Sequence, residues 1–296
     1  MIFSRFYSIL SKITIINARS NQAKSREVIM DRYRVKPGDT IKLKKVDAND
    51  VGDWKGKKQE AKNETLKLNE KLEELQEIFY AQGKHKLLIV LQGMDTSGKD
   101  GTIRKVFDNV NPQGVRVANF KSPTSKELSH DFLWRVHYEV PEKGMITIFN
   151  RSHYEDVLIV RVHNLVGKDI WSKRYELIND FEKLLCSEGT IILKFYLHID
   201  KNEQKDRLQA RIDNPQKHWK FNPADLKERE HWDDYINAYE DAIEKTSTDY
   251  APWYIIPANV KWYRDLVIST ILVDKLQQLE VDYPKPVADF KDIKIV

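Results

Sequence analysis

The chain has 296 residues, 41% hydrophobic and 32% charged, with a formal net charge of +4. That is enough apolar material for one large α/β domain or two small ones, and the absence of any run of 18 apolar residues excludes a transmembrane helix by length. One cysteine, Cys186, excludes an intrachain disulfide framework and points to a reducing, cytoplasmic setting, while the small positive excess permits a basic groove for a polyanion. Cys186 reads as a core residue between a helix and the following strand. The opening residues, Met1 to Ile16, mix apolar side chains with Arg5 and Lys12 and end in no cleavage pattern. Residues 1–30 read as a flexible extension, as translation assigned upstream of Met30, or as a processed targeting peptide.

Residues 31–45 form a basic arm turned at Pro37-Gly38. Between 50 and 82, Leu68, Leu72, Leu75, Ile78 and Phe79 recur at three- or four-residue spacing, the period of an amphipathic helix ending at Gly83. Leu66 lies off the stripe. From 83 to 283 strand and helix alternate. Strands are expected at 86–92, 115–119, 145–149, 190–197 and 253–256. Helices are expected at 99–109, 125–136, 157–162, 171–185, 202–212, 224–245 and 262–279. Runs such as Ile191 to Leu197 are nearly continuous, as in strands covered on both faces. The expectation is an α/β, three-layer fold with a mostly parallel sheet, followed from Pro284 by a C-terminal tail, 284–296.

After the apolar run Leu87 to Leu91 comes Gly93-Met-Asp-Thr-Ser-Gly-Lys-Asp-Gly101, and then a helical segment. Strand, Gly-rich turn, lysine and helix make a cradle for phosphate. Gly93, Gly98 and Gly101 allow the turn, and the backbone at Thr96, Ser97 and Asp100 offers N–H groups to phosphate oxygens. Lys99 supplies a point charge near the transferred group. Position 100 is Asp where the common pattern has Ser or Thr, so Asp95 is the candidate metal ligand. The third strand delivers Asn150-Arg-Ser-His-Tyr-Glu-Asp156 to the same sheet edge. Arg151 can grip phosphate. Glu155 can receive donors from a nucleotide or align a metal, and His153 reads as a structural hydrogen-bonding residue. Lys121, after the second strand, is a phosphate contact or a solvated lysine, and Thr124 or Ser125 caps the next helix.

Residues 205–230 read as a basic lid. Arg207 and Arg211 share a helix face, and Lys217 and Lys220 follow Pro215 on a turn. Cations on a movable element neutralise developing charge and exclude water. Trp219 reads as a packing anchor.

These motifs resemble the polyphosphate kinase 2 family. The resemblance rests on Gly93 to Gly101, Phe120 to Thr124, Phe149 to Val157, Lys194 to Ile199, Arg207 to Phe221, Ala251 to Tyr254 and Lys261-Trp262, within residues 32–283. It implies a thymidylate-kinase-like P-loop fold with a helical lid. The implied activity is phosphoryl transfer from inorganic polyphosphate to nucleotides with Mg²⁺ or Mn²⁺, in a homo-oligomer. It also implies that Asp95 is essential, that Lys99 and Arg151 bind the transferring phosphate, and that Arg207 and Arg211 are the lid arginines. Asn150 and His153 depart from the Asp-Arg-Ser-Trp-Tyr of many members. With Glu155, they resemble the class III subgroup, whose members accept AMP and ADP and so make ATP in two steps. The departure moves the metal-binding burden from position 150 to Asp95. Neither nucleic acid nor membrane is an expected partner. The rivals are an ATP-dependent nucleoside or nucleotide kinase and a non-catalytic polyanion-binding module. Zinc spacings, a Rossmann loop and a nucleophile elbow are absent from the sequence.

Overall fold

The computed structural model describes residues 31–289 and residue 295. The readings of residues 1–30 therefore lie outside the described residues. Five strands form one sheet: β1 (Lys86–Gln92), β2 (Val115–Asn119), β3 (Ile146–Asn150), β4 (Thr190–His198) and β5 (Trp253–Pro257). Their order is β2-β3-β1-β4-β5. Every pairing is parallel, with Leu91 opposite both Asn150 and Phe195. β1 is buried along nearly its whole length, as its unbroken apolar run requires. Because β1 and β3 are neighbours, the loops after them emerge side by side at the carboxyl edge of the sheet.

The principal helices are α1 (Lys58–Gln82), α2 (Lys99–Val106), α3 (Arg174–Ser187), α4 (Lys201–Ile212), α5 (Ala224–Glu230), α6 (Trp232–Thr246) and α7 (Lys261–Gln277). α1 packs on α7, which also meets α2, while α3 packs on α6 and β4. Sheet and helices thus form three layers. α1 buries Leu68, Leu72, Leu75 and Phe79 and ends at Gly83, which takes φ +60°. Leu66 is 55% exposed, off the stripe as its position predicts. A polar pin crosses the α1 layer: Asn69 Nδ2 donates to Lys105 O at 2.6 Å, and Ser269 Oγ donates to Asn69 Oδ1 at 2.9 Å.

The arm before α1 is tied to the sheet edge. Val35 N donates to Trp253 O at 2.9 Å, and Arg34 bridges Tyr254 in antiparallel fashion. Leu43 is wholly buried, and its N–H donates to Glu240 Oε1 at 2.7 Å. Gly38 turns the arm at φ +86°. No helix of the described residues is long and apolar enough to cross a membrane.

Several expected helices are shorter or broken. The expected 125–136 helix splits into turns at Ser125–Leu128 and Trp134–His137. Ser129 Oγ donates to Lys126 O at 2.7 Å, and Asp131 Oδ1 accepts from Leu133 N at 2.9 Å, so local side-chain bonds displace the helix. Thr124 is its cap, accepting Glu127 N. The expected 224–245 helix breaks at His231, between α5 and α6. Cys186 lies within α3 rather than beyond it, half-buried against the core. Burial pushes its thiol up to about 11, which keeps it protonated.

Candidate functional site

The loop from β1 to α2 is shaped by backbone conformations that few side chains tolerate. Gly93 takes φ +147°, and a Cβ there would sit 2.8 Å from Leu197 O. Gly98 takes φ +107° at the cap of α2, and a Cβ there would collide with Arg264 Nη1. Thr96 holds φ +65° without being glycine, a local strain that often accompanies functional loops. Lys99 Nζ curls back to donate to Gly93 O at 2.7 Å and Met94 O at 3.4 Å. Burial pulls its pKa down, against the opposing charge of Asp95.

The carbonyls on the outer side of this loop need donors, and Arg207 of α4 provides them. Its Nη1 donates to Thr96 O at 2.8 Å and Ser97 O at 2.9 Å, and its Nη2 to Ala258 O at 2.6 Å and Asn259 O at 3.2 Å. Its Nε donates to Glu203 at 2.6 Å. All five N–H groups of the guanidinium are thus engaged by protein. Gln204 adds a bond to Asp95 O at 3.1 Å. The root of the expected lid is therefore fastened to the phosphate loop.

β3 carries its residues to the same edge. Asn150 Nδ2 donates to Asp100 Oδ1 at 2.9 Å and Asn119 Oδ1 at 3.0 Å, joining β2, β3 and α2. Arg151 sits at φ +64°, with its Nη2 3.4 Å from Asp95 Oδ1. Burial opposes its charge, but Glu155 and Asp95 outweigh burial and raise its pKa. Glu155 is half-buried. Burial raises its pKa, countered by Arg151, the Gln92 hydrogen bond and Lys99.

Beneath Arg151 and Glu155 lies a charged core. His153, Glu182 and Lys194 are each wholly buried. Glu182 accepts from His153 Nε2 at 3.2 Å, Tyr154 OH at 2.8 Å and Lys194 Nζ at 2.5 Å. Lys194 also donates to Thr246 O at 2.7 Å. His153 is thus the structural residue its sequence context predicts. Burial opposes the charge of Glu182, and Lys194 and His153 hold its pKa below the ordinary value.

The lid continues as α4, a 3-10 turn at Pro215–Lys220, and α5. Arg211 Nη1 donates to Lys220 O at 3.1 Å and to Asp225 Oδ2 at 3.4 Å. Lys220 Nζ stands 3.8 Å from Asp100 Oδ2 across the cleft. Trp219 corrects its expectation: it is 78% exposed and lines the cleft instead of anchoring the lid, because the 3-10 turn points it away from the core.

These groups enclose one cleft of about 760 Å³. Asp95, Thr96, Gly98, Lys99, Asp100, Gly101, Lys121, Asn150, Arg151, Arg207, Arg211, Lys217 and Lys220 all line it. Gly93 and Ser97 are buried members of the loop that do not line the cleft, and Glu155 lies outside the cleft lining. Sequence reasoning missed Arg104, Asn119, Asp225, Lys261 and Arg264, which line it too. Arg264 is 3% exposed, paired with Asp265 at 2.6 Å, and lies 3.5 Å from Ser97 O. The available signal was position: Lys261 and Arg264 open the helix after β5, and every such helix begins at this sheet edge. The wall carries ten Lys and Arg side chains against three Asp.

Comparison with known proteins agrees with this chemistry. The family model described as polyphosphate kinase 2 (PPK2) matches residues 55–284. The chain is 58% identical to an AMP/ADP-polyphosphate phosphotransferase of Meiothermus ruber, covering 87% of this chain and 96% of that protein. It is 42% identical to an ADP-polyphosphate phosphotransferase of Rhodopseudomonas palustris, covering 86% and 92% respectively. Among solved structures, polyphosphate kinase 2 from Arthrobacter aurescens TC1 superposes with a TM-score of 0.85 at 45% identity, covering 88% of this chain and 93% of that one.

Proposed function

The chain belongs to the polyphosphate kinase 2 family, and on that premise we propose that it transfers the terminal phosphoryl group of inorganic polyphosphate to ADP and AMP. The observation that carries this reading is the cleft wall, with ten cationic side chains against three aspartates around a phosphate loop. A single nucleotide does not call for so much positive charge; a polyanionic donor together with a nucleotide acceptor does. The attacking phosphate oxygen is already ionised near neutral pH, so positioning and charge neutralisation supply the catalysis. Both bonds are phosphoanhydrides when ADP accepts, so that transfer runs in either direction and yields ATP.

Lys99 and Arg151 are the proposed contacts of the transferring group, with Arg211, Lys217, Lys220, Lys121 and the buried Arg264 around the remaining phosphates. Arg207 is assigned a different task from the one the resemblance implies. With its donors committed to Thr96, Ser97, Ala258, Asn259 and Glu203, it shapes the loop. Asn150 and Glu155 are the proposed determinants that admit the monophosphate.

Among the described residues no cluster of three or more His, Cys, Asp or Glu could cage a metal. Mg²⁺ does not need such a cage, since it keeps waters and binds through one or two carboxylates plus substrate phosphates. Asp95, half-buried at the cleft wall, fits that donor set, and Mn²⁺ fits it equally. Bound there, the ion would neutralise charge on the transferring phosphates. A cytoplasmic location, where nucleotides are held, and a homo-oligomeric state complete the proposal.

The test is to incubate the purified chain with Mg²⁺, polyphosphate and either AMP or ADP, no other nucleotide present, and to quantify all nucleotides over time. ADP and ATP formed from AMP are expected. Activity only with ATP as donor would replace this reading by an ATP-dependent kinase.

A further inference from the structure

Gln92, the last residue of β1 before the phosphate loop, is wholly buried. Its amide nitrogen donates to Ser152 Oγ at 3.1 Å and to Glu155 Oε1 at 3.1 Å. Its amide oxygen accepts from Tyr239 OH at 3.3 Å. A carboxylate takes only donors, and the phenol, placed against the other end, supplies one, so the amide has a single workable orientation. Both N–H groups are spent, and Glu155 Oε1 is held. Glu155 Oε2 makes no hydrogen bond among the described residues. The carboxylate feels Arg151, Lys99 and Asp95, all cleft side chains. A Glu155 without this tether would be free to change rotamer, and Oε2 would lose its fixed direction.

We propose that Gln92 is a positioning residue for the acceptor: by holding Oε1 of Glu155 it fixes the carboxylate beside the cleft side chains and leaves Oε2 free for the acceptor, and so sets the balance between monophosphate and diphosphate acceptors. This rests on the role given to Glu155 under Proposed function. Gln92 touches no substrate itself and acts through that carboxylate. Tyr239, on α6, acts one step further back by fixing the amide.

The experiment compares initial rates with AMP and with ADP, and KM for polyphosphate, in the wild type, Gln92→Met, Tyr239→Phe and Glu155→Gln. Methionine keeps the length of glutamine and removes all three hydrogen bonds. Gln92→Met is expected to lower the AMP-to-ADP rate ratio about five-fold, the scale of one hydrogen bond, and to leave KM for polyphosphate unchanged. Tyr239→Phe should shift the ratio in the same direction by less, and it decides the matter if Gln92→Met does not fold. If Glu155→Gln changes the ratio while Gln92→Met and Tyr239→Phe do not, the inference is overturned and the role of Glu155 stands. An equal loss with both acceptors in Gln92→Met also overturns it, since that is the mark of a structural role. A Glu155→Gln variant with an unchanged ratio removes the role of Glu155 and this inference with it.

Discussion

Two arginines four residues apart on one helix have different surroundings. Arg207 spends every donor on protein carbonyls and Glu203, whereas among the described residues Arg211 donates to Lys220 O and Asp225 at the cleft. Arg207→Lys cannot reproduce five donors with three. It is expected to lower the melting temperature and raise KM for polyphosphate together, whereas Arg211→Ala should lower kcat with little change in melting. Lys99→Met should cost about 10²–10³-fold in kcat, the scale of one preorganised electrostatic contact, without loss of fold. Glu155 yields a pH prediction. Burial raises its folded-state pKa, so its contribution to stability is greatest below the unfolded value of about 4.3 and is lost as pH rises through the folded value. Glu155→Gln should therefore raise the melting temperature at neutral pH, with the gain shrinking as the medium is acidified. A melting temperature gain that is constant with pH would contradict this.

At the scale of elements, the loop after β3 is held from below by Glu182, His153, Tyr154 and Lys194, contributed by that loop, α3 and β4. Glu182→Gln leaves the Lys194 ammonium buried without its counter-charge, and is expected to cost about 3–5 kcal/mol in denaturant unfolding. Neither Glu182 nor the partnership with Lys194 was legible in the sequence, because the two residues meet only once α3 has packed on β4. The strands were legible: hydrophobic runs such as Leu87 to Leu91 reach the core whatever their neighbours do. Phosphate-loop residues were legible for a similar reason, since Gly93 and Gly98 answer to local backbone geometry. Helix ends were less so. Ser129, Asp131 and His231 offer the backbone alternatives that a periodicity argument does not weigh. Arg264 was missed because its place beside Ser97 depends on the return of the chain through β5.

At the scale of the molecule, one edge of the sheet is closed by the arm. Arg34 and Val35 pair with β5, and Leu43 is buried beside α6. Replacing Leu43 by Ala should cost about 2–5 kcal/mol, as for other buried leucines, and loosen the arm from β5, seen as faster amide exchange at Val35, whose N–H donates to Trp253 O. The cleft at the other end of this framework has a consequence for handling the protein. Ten cations stand around the cleft with only three aspartates in its wall, so positive charge stays in excess there while no anion is bound. The ligand-free protein is in this respect a loaded spring, and any small multivalent anion relaxes it. The medium chosen for storage or crystallisation thus becomes a participant: a phosphate or sulfate buffer should raise the melting point above that in a zwitterionic buffer of equal ionic strength, and compete with the donor in assays.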